Sequence, residues 1–170
     1  MYVVSCRAGF NSDQLIGKDS RYRNFKNPQN STSFDELTLT ELKSVAANKH
    51  VCILVHGFNN SIDQVMASYW EIVAKMNATG VFGPEGYGLV IGFTWPGFST
   101  APGFFAARLT SKKAGPFLND LINDLRTVAH TVDVQTHSLG ARVALTALKP
   151  KKVFVDNLIL SAAAVDNNLL

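Results

Sequence analysis

The sequence predicts an α/β protein: three layers, α/β/α, around a mostly parallel sheet. Two apolar runs, "HVCILVHGF" from His50 and "GLVIGFTW" from Gly88, are bounded by glycine or polar residues, and "TVDVQ" from Thr131 has a β-type pattern. Such runs suit strands buried on both faces. The segments between them carry apolar residues at helical spacing. The 170 residues are 46% hydrophobic and 17% charged, which predicts one globular domain with a sizeable core rather than a disordered chain. That single domain covers residues 1–170, with a strand, loop and helix over 1–49 and the β-α-β core over 50–170.

In chain order, Val3 to Cys6 predicts a short first strand. Gly9 to Ser33 is rich in Asn, Ser, Lys and Arg and reads as a long exposed connection with room for a hairpin strand. Ser33-Phe-Asp-Glu36 and Thr38-Leu-Thr-Glu41 both fit a capping box, so a helix is expected to start here and run to about Asn48. After the His50 strand, Ser61 caps a helix with Gln64 three residues later; Ile62, Val65, Met66, Tyr69, Trp70, Val73 and Met76 form its apolar face, and Gly80 ends it. Gly86 to Ala107 is uncharged but holds two prolines and five glycines, which predicts a buried strand and a loop rather than a membrane span. Ser99 to Ser111 is expected to be irregular, and Gly115-Pro116 to open a helix. A strand over Thr131 to Gln135, a helix over Leu139 to Leu148 and a last strand within Val153 to Ala163 follow. Strand and helix alternate, so the sheet is expected to be parallel and its ligands to bind beyond the carboxyl ends of the strands.

Two segments at such ends carry chemistry: His56-Gly-Phe-Asn-Asn60 and Thr136-His-Ser-Leu-Gly140. A serine hydroxyl is a weak nucleophile that needs exposure, a base and donors for the negative charge formed on attack. A sharp strand-to-helix turn lifts Ser138 above the sheet, and the following helix offers its N-terminal N–H groups to an anion. Gly140 fits the crowding of such a turn. Thr136 replaces the glycine usual two residues before the serine, so the match to G-x-S-x-G is partial. A serine at this position also suits an ordinary helix cap.

From His50 onward, over about two-thirds of the chain, the sequence resembles the α/β-hydrolase superfamily. More narrowly, it is similar to a bacterial group of that superfamily long classed as a domain of unknown function. The residues that carry the likeness are Ile53-Leu-Val-His-Gly-Phe-Asn-Asn60, Gly92-Phe-Thr-Trp-Pro96, Val134 to Val143 (VQTHSLGARV) and Asn157 to Asp166 (NLILSAAAVD). The resemblance implies a serine esterase- or lipase-like hydrolase acting on small-molecule or lipid esters, without a cofactor. Ser138 is then the nucleophile, and the backbone N–H groups of Phe58 and Leu139 form the oxyanion hole.

In that superfamily the acid and then the histidine follow the serine. Asp156 and Asp166 are the acids after Ser138; Asp156 precedes the last strand, at the wrong end of the sheet, and Asp166 follows it. Asp166 is the implied acid, with a solvated turn residue as its equal alternative. No histidine follows Ser138. His56 is expected to shape the oxyanion loop, His137 to point away from its neighbour, and His50 and His130 to lie at the surface. The resemblance therefore implies a C-terminally truncated hydrolase, with an uncovered sheet edge open to self-association. A non-catalytic binding domain on the same fold is the alternative.

Other classes are disfavoured. Neither a G-x-G-x-x-G nor a P-loop pattern follows a strand, and two cysteines make no disulfide framework or metal site. The net charge of +3 is scattered, with Lys149, Lys151 and Lys152 the densest group; this predicts a solvated surface and no nucleic-acid partner. MYVVSCRAG lacks the features of a signal peptide, which predicts a cytoplasmic protein. Phe98, Phe104 and Phe105 are expected either to wall an acyl site or to be buried core.

Overall fold

A computed structural model describes residues 1–27, 33–83, 85–98, 103–150 and 153–165. Among the described residues seven strands form one sheet: β1 (Tyr2–Ser5), β2 (Arg21–Phe25), β3 (Phe34–Leu37), β4 (His50–Val55), β5 (Leu89–Thr94), β6 (Thr131–His137) and β7 (Leu158–Ser161). Their order is β3-β2-β1-β5-β4-β6-β7. The pairs β1–β5, β5–β4, β4–β6 and β6–β7 are parallel, whereas β1–β2 and β2–β3 are antiparallel. The hairpin strand allowed for in the early connection is β2.

Four helices among the described residues cover the sheet: α1 (Leu39–Ala46), α2 (Ile62–Ala78), α3 (Phe104–Arg126) and α4 (Gly140–Ala147). Alternate residues of a strand face opposite sides. Val51, Ile53 and Val55 therefore join a core with α1, α3 and α4, while Cys52 and Leu54 pack against α2. The result is the expected three-layer α/β/α arrangement with a mostly parallel sheet.

Both capping boxes that open helices are formed, Thr38 with Glu41 and Ser61 with Gln64. The Ser33 box is not used. Phe34 to Leu37 pair with β2 instead, where Phe34 packs on Phe25 with ring centroids 5.3 Å apart. The expected helix start at Gly115-Pro116 is also corrected, since α3 begins at Phe104 and holds Pro116 within it. Gly115 is small for another reason. A methyl there would come within 2.6 Å of Thr146 Cγ2, so the glycine lets α3 and α4 approach. The expected irregular stretch is accordingly helical from Phe104; residues 99–102 lie outside the described ones.

Both cysteines are buried free thiols. Among the described residues no helix is long and apolar enough to cross a membrane.

Candidate active site

β6 runs to His137, two residues beyond the expected end, and α4 starts at Gly140. Ser138 lies between them with φ of +51°. This left-handed conformation is costly for a residue with a Cβ, and Asp19, Asn48, Asn59, Phe98 and Ala162 share it. Two bonds hold the corner to the end of β7: Ser138 N–H donates to Ser161 O at 2.9 Å, and Ala164 N–H donates to Ser138 O at 3.1 Å. The Leu139 side chain, 1% exposed, anchors it in the core beside Val143. Ser138 itself is half-buried, and its hydroxyl donates to no described residue.

Close backbone contacts explain the small residues around Ser138. A methyl on Gly140 would lie 2.5 Å from His56 O and 2.6 Å from Val55 O. One on Gly57 would lie 2.9 Å from Ser138 Cβ and 3.0 Å from His137 O. The two motifs thus touch through backbone and admit no side chain between them. Thr136 is tolerated two residues before the serine because its hydroxyl finds Ile159 O on β7 at 3.3 Å.

The loop after β4 is fixed by a buried hydrogen-bonded group. His56 Nδ1 pairs with Gly57 O at 2.8 Å, and Trp95 N–H donates to His56 Nε2 at 3.2 Å. With Nε2 accepting, Nδ1 carries the proton and donates. Trp95 Nε1–H donates to His56 O at 2.9 Å, and the two rings stack with centroids 5.5 Å apart. His56 N–H donates to the Tyr69 hydroxyl at 3.0 Å, which in turn donates to Phe93 O at 2.7 Å. Burial, reinforced by the Arg7 cation, pushes the His56 imidazole down to about 3. His56 is therefore a neutral structural residue with both ring nitrogens engaged, and not a base.

These contacts orient the two N–H groups that the sequence singled out. In a trans peptide the C=O and the following N–H point in opposite directions. Gly57 O is held by the His56 ring, so Phe58 N–H faces away from it. Ser138 O accepts from Ala141 N–H and Ala164 N–H, both at 3.1 Å, so Leu139 N–H faces away from that pair. Neither Phe58 N–H nor Leu139 N–H donates to any described residue. The turn after Phe58 is set by Asn59, with φ of +62°, and by Asn60 Nδ2–H, which donates to Phe58 O at 3.0 Å. Asparagine tolerates the left-handed region better than most residues, which accounts for the Asn-Asn pair.

The other candidates separate clearly. His137 is exposed and lines a cavity of about 320 Å³ between α2 and the ends of β4 and β6, a cavity that Ser138 does not line. His50 and His130 stack edge to face at the opposite end of the sheet, where His50 Nδ1 meets Thr131 Oγ1 at 2.8 Å. Asp156 accepts from Val132 N–H at 2.7 Å and pairs with Arg126 at 3.0 Å, which holds its carboxyl below the usual range. It fastens the start of β6, far from Ser138. Asp166 lies outside the described residues. Among the described residues no cluster of three or more His, Cys, Asp or Glu is arranged to hold a metal ion.

Tyr69 and Trp95 are the residues whose part here the sequence hid. Tyr69 reads as one of seven apolar positions on α2, and only its hydroxyl bonds reveal the second task. Trp95 stands out in "TWPG" but nothing local points to His56, 39 residues earlier.

No curated protein and no solved structure matches the chain. Residues 31–169 match the model of a family described as "Alpha/beta hydrolase of unknown function (DUF900)", a span that takes in the strained serine corner, the His-Gly loop and the parallel strands β4 to β7. The chain belongs to this family of α/β hydrolases.

Proposed function

We propose that the protein is a serine hydrolase acting on carboxylic esters, with Ser138 as nucleophile. The observation that carries this reading is the φ of +51° at Ser138, on a strand–helix corner with a hydroxyl that donates to no described residue. Ser138 Oγ attacks the ester carbonyl, and the negative charge on the carbonyl oxygen is met by Phe58 N–H and Leu139 N–H. The N-terminus of α4 adds a favourable dipole. Collapse expels the alkoxide, which leaves as the alcohol by taking up, through solvent water, the proton lost from Ser138 Oγ; water then hydrolyses the acyl-serine to the carboxylic acid and free serine. Asp166 is proposed as the acid of the site. Among the described residues both nitrogens of His56 are engaged, so it does not take the proton of Ser138 Oγ. This engagement of His56 favours a second reading, a non-catalytic binding domain on the hydrolase fold.

A fluorophosphonate probe separates the two. The first reading expects slow labelling of Ser138, accelerated by added imidazole as a substitute base and lost in Ser138→Ala. Labelling unchanged by Ser138→Ala would overturn it. No labelling with or without imidazole would favour the binding domain.

A further inference from the structure

The first turns of α3 carry an unusual surface. Phe105 is 75% exposed, Leu109 64% and Phe104 38%. The other large exposed apolar side chains lie on other segments, Val81, Phe154 and Ile159, and one face of the Phe154 ring carries the Arg126 guanidinium at 3.6 Å. Phe105, Leu109, Lys112 and Lys113 follow one another at spacings of four and three or four residues, so they form one stripe on the solvent side of the helix. Lys112 and Lys113 are both exposed. The apolar end adjoins the candidate active site: Phe104 packs edge-on against Phe58, with ring centroids 5.3 Å apart.

The geometry points to a docking surface for an anionic phospholipid membrane, which this face of α3 meets with its first turn foremost. An apolar tip next to basic residues is the composition that binds lipid interfaces. Helical rise puts the two lysines about 11–12 Å behind Phe105. That leaves them just outside the ~5–10 Å to which apolar side chains enter the headgroup boundary. The ammonium groups then reach lipid phosphates while Phe105 and Leu109 are buried. The charge pattern favours a membrane over a second copy of the chain, because identical lysines would be brought together by self-pairing. The inference does not depend on the chemistry assigned to Ser138.

Co-sedimentation of the purified chain with vesicles tests it. We expect binding to vesicles of phosphatidylcholine and phosphatidylglycerol in equal parts, weak binding to phosphatidylcholine alone, and release by salt. Phe105→Ser with Leu109→Ser should lower partitioning about tenfold or more. Lys112→Glu with Lys113→Glu should lower it about fivefold or more per residue on the anionic vesicles. Both variants change exposed positions, and an unchanged urea midpoint shows that they remain folded. Ser138→Ala should bind as the parent does, whatever the probe shows at Ser138. Equal binding to both vesicle types would overturn the inference. So would parental binding by the Phe105/Leu109 variant, or a dimer in analytical ultracentrifugation that this variant converts to monomer.

Discussion

The Tyr69 hydroxyl bridges two strands by accepting His56 N–H at 3.0 Å and donating to Phe93 O at 2.7 Å. Tyr69 is 2% exposed, so both bonds are buried. Tyr69→Phe leaves a buried donor and a buried acceptor unpaired. The expected loss is about 2–4 kcal/mol of stability, read from urea unfolding. If the proposed ester hydrolysis is observed, this variant should slow it as well, because the loop carrying Phe58 loses an anchor.

His56 predicts an acid limb in the stability profile. Its imidazole is held at about 3 in the folded protein against an ordinary value of 6.5. The unfolded chain therefore binds a proton that the folded one refuses between those values, and stability falls as pH drops through that window. Between pH 6.5 and 5 the loss is on the order of 2 kcal/mol, before carboxylates contribute. His56→Gln lowers stability at neutral pH but flattens that limb. Urea midpoints for both proteins at a series of pH values check it, and parallel profiles would show that another group is responsible.

Gly140 is held between two carbonyl oxygens. A methyl at 2.5 Å and 2.6 Å from backbone atoms has no side chain to displace. Gly140→Ala is therefore expected to destabilise by about 2–3 kcal/mol. Gly17→Ala, where nothing lies within 4 Å, serves as the control with little change. Thermal unfolding of the pair distinguishes close packing from a general effect of losing glycine.

Ser138 should reveal its backbone strain when replaced by glycine. Ser138→Gly relieves the left-handed conformation and is expected to gain about 1 kcal/mol, or roughly 2–4 °C in Tm. Ser138→Ala keeps the Cβ and should gain nothing comparable. Equal Tm values for the two variants would mean that the corner relaxes in solution.

The strands of the core and the α2 helix were legible because their signals are local: continuous apolar runs and a Ser-x-x-Gln cap. The strand-end positions of the His56-Gly-Phe and Thr136-His-Ser segments were legible from the apolar runs before them, while the grouping of Ser138 with Phe58 and Leu139 came from the family resemblance. What was hidden depends on distant partners. The Ser33 box has a sound local pattern, yet pairing of Phe34 with Phe25 outweighs it. Gly115-Pro116 looks like a helix start, but its glycine answers to Thr146 on another helix. The neutrality of His56 is decided by Trp95 and Gly57, which no periodicity records.

The sheet order also fixes the sequence of assembly during synthesis. β1 pairs with β2 and, through its other edge, with Ile91 to Thr94 of β5. The hairpin of β1 and β2 can close once residue 25 has emerged, but the partner for its inner edge is made about 70 residues later. At ordinary translation rates that interval is on the order of several seconds. For that time the nascent chain presents an unpaired strand, Tyr-Val-Val-Ser, to any neighbouring polypeptide. Chaperone demand should therefore begin before β5 leaves the ribosome and last until β6 covers the free edge of β4.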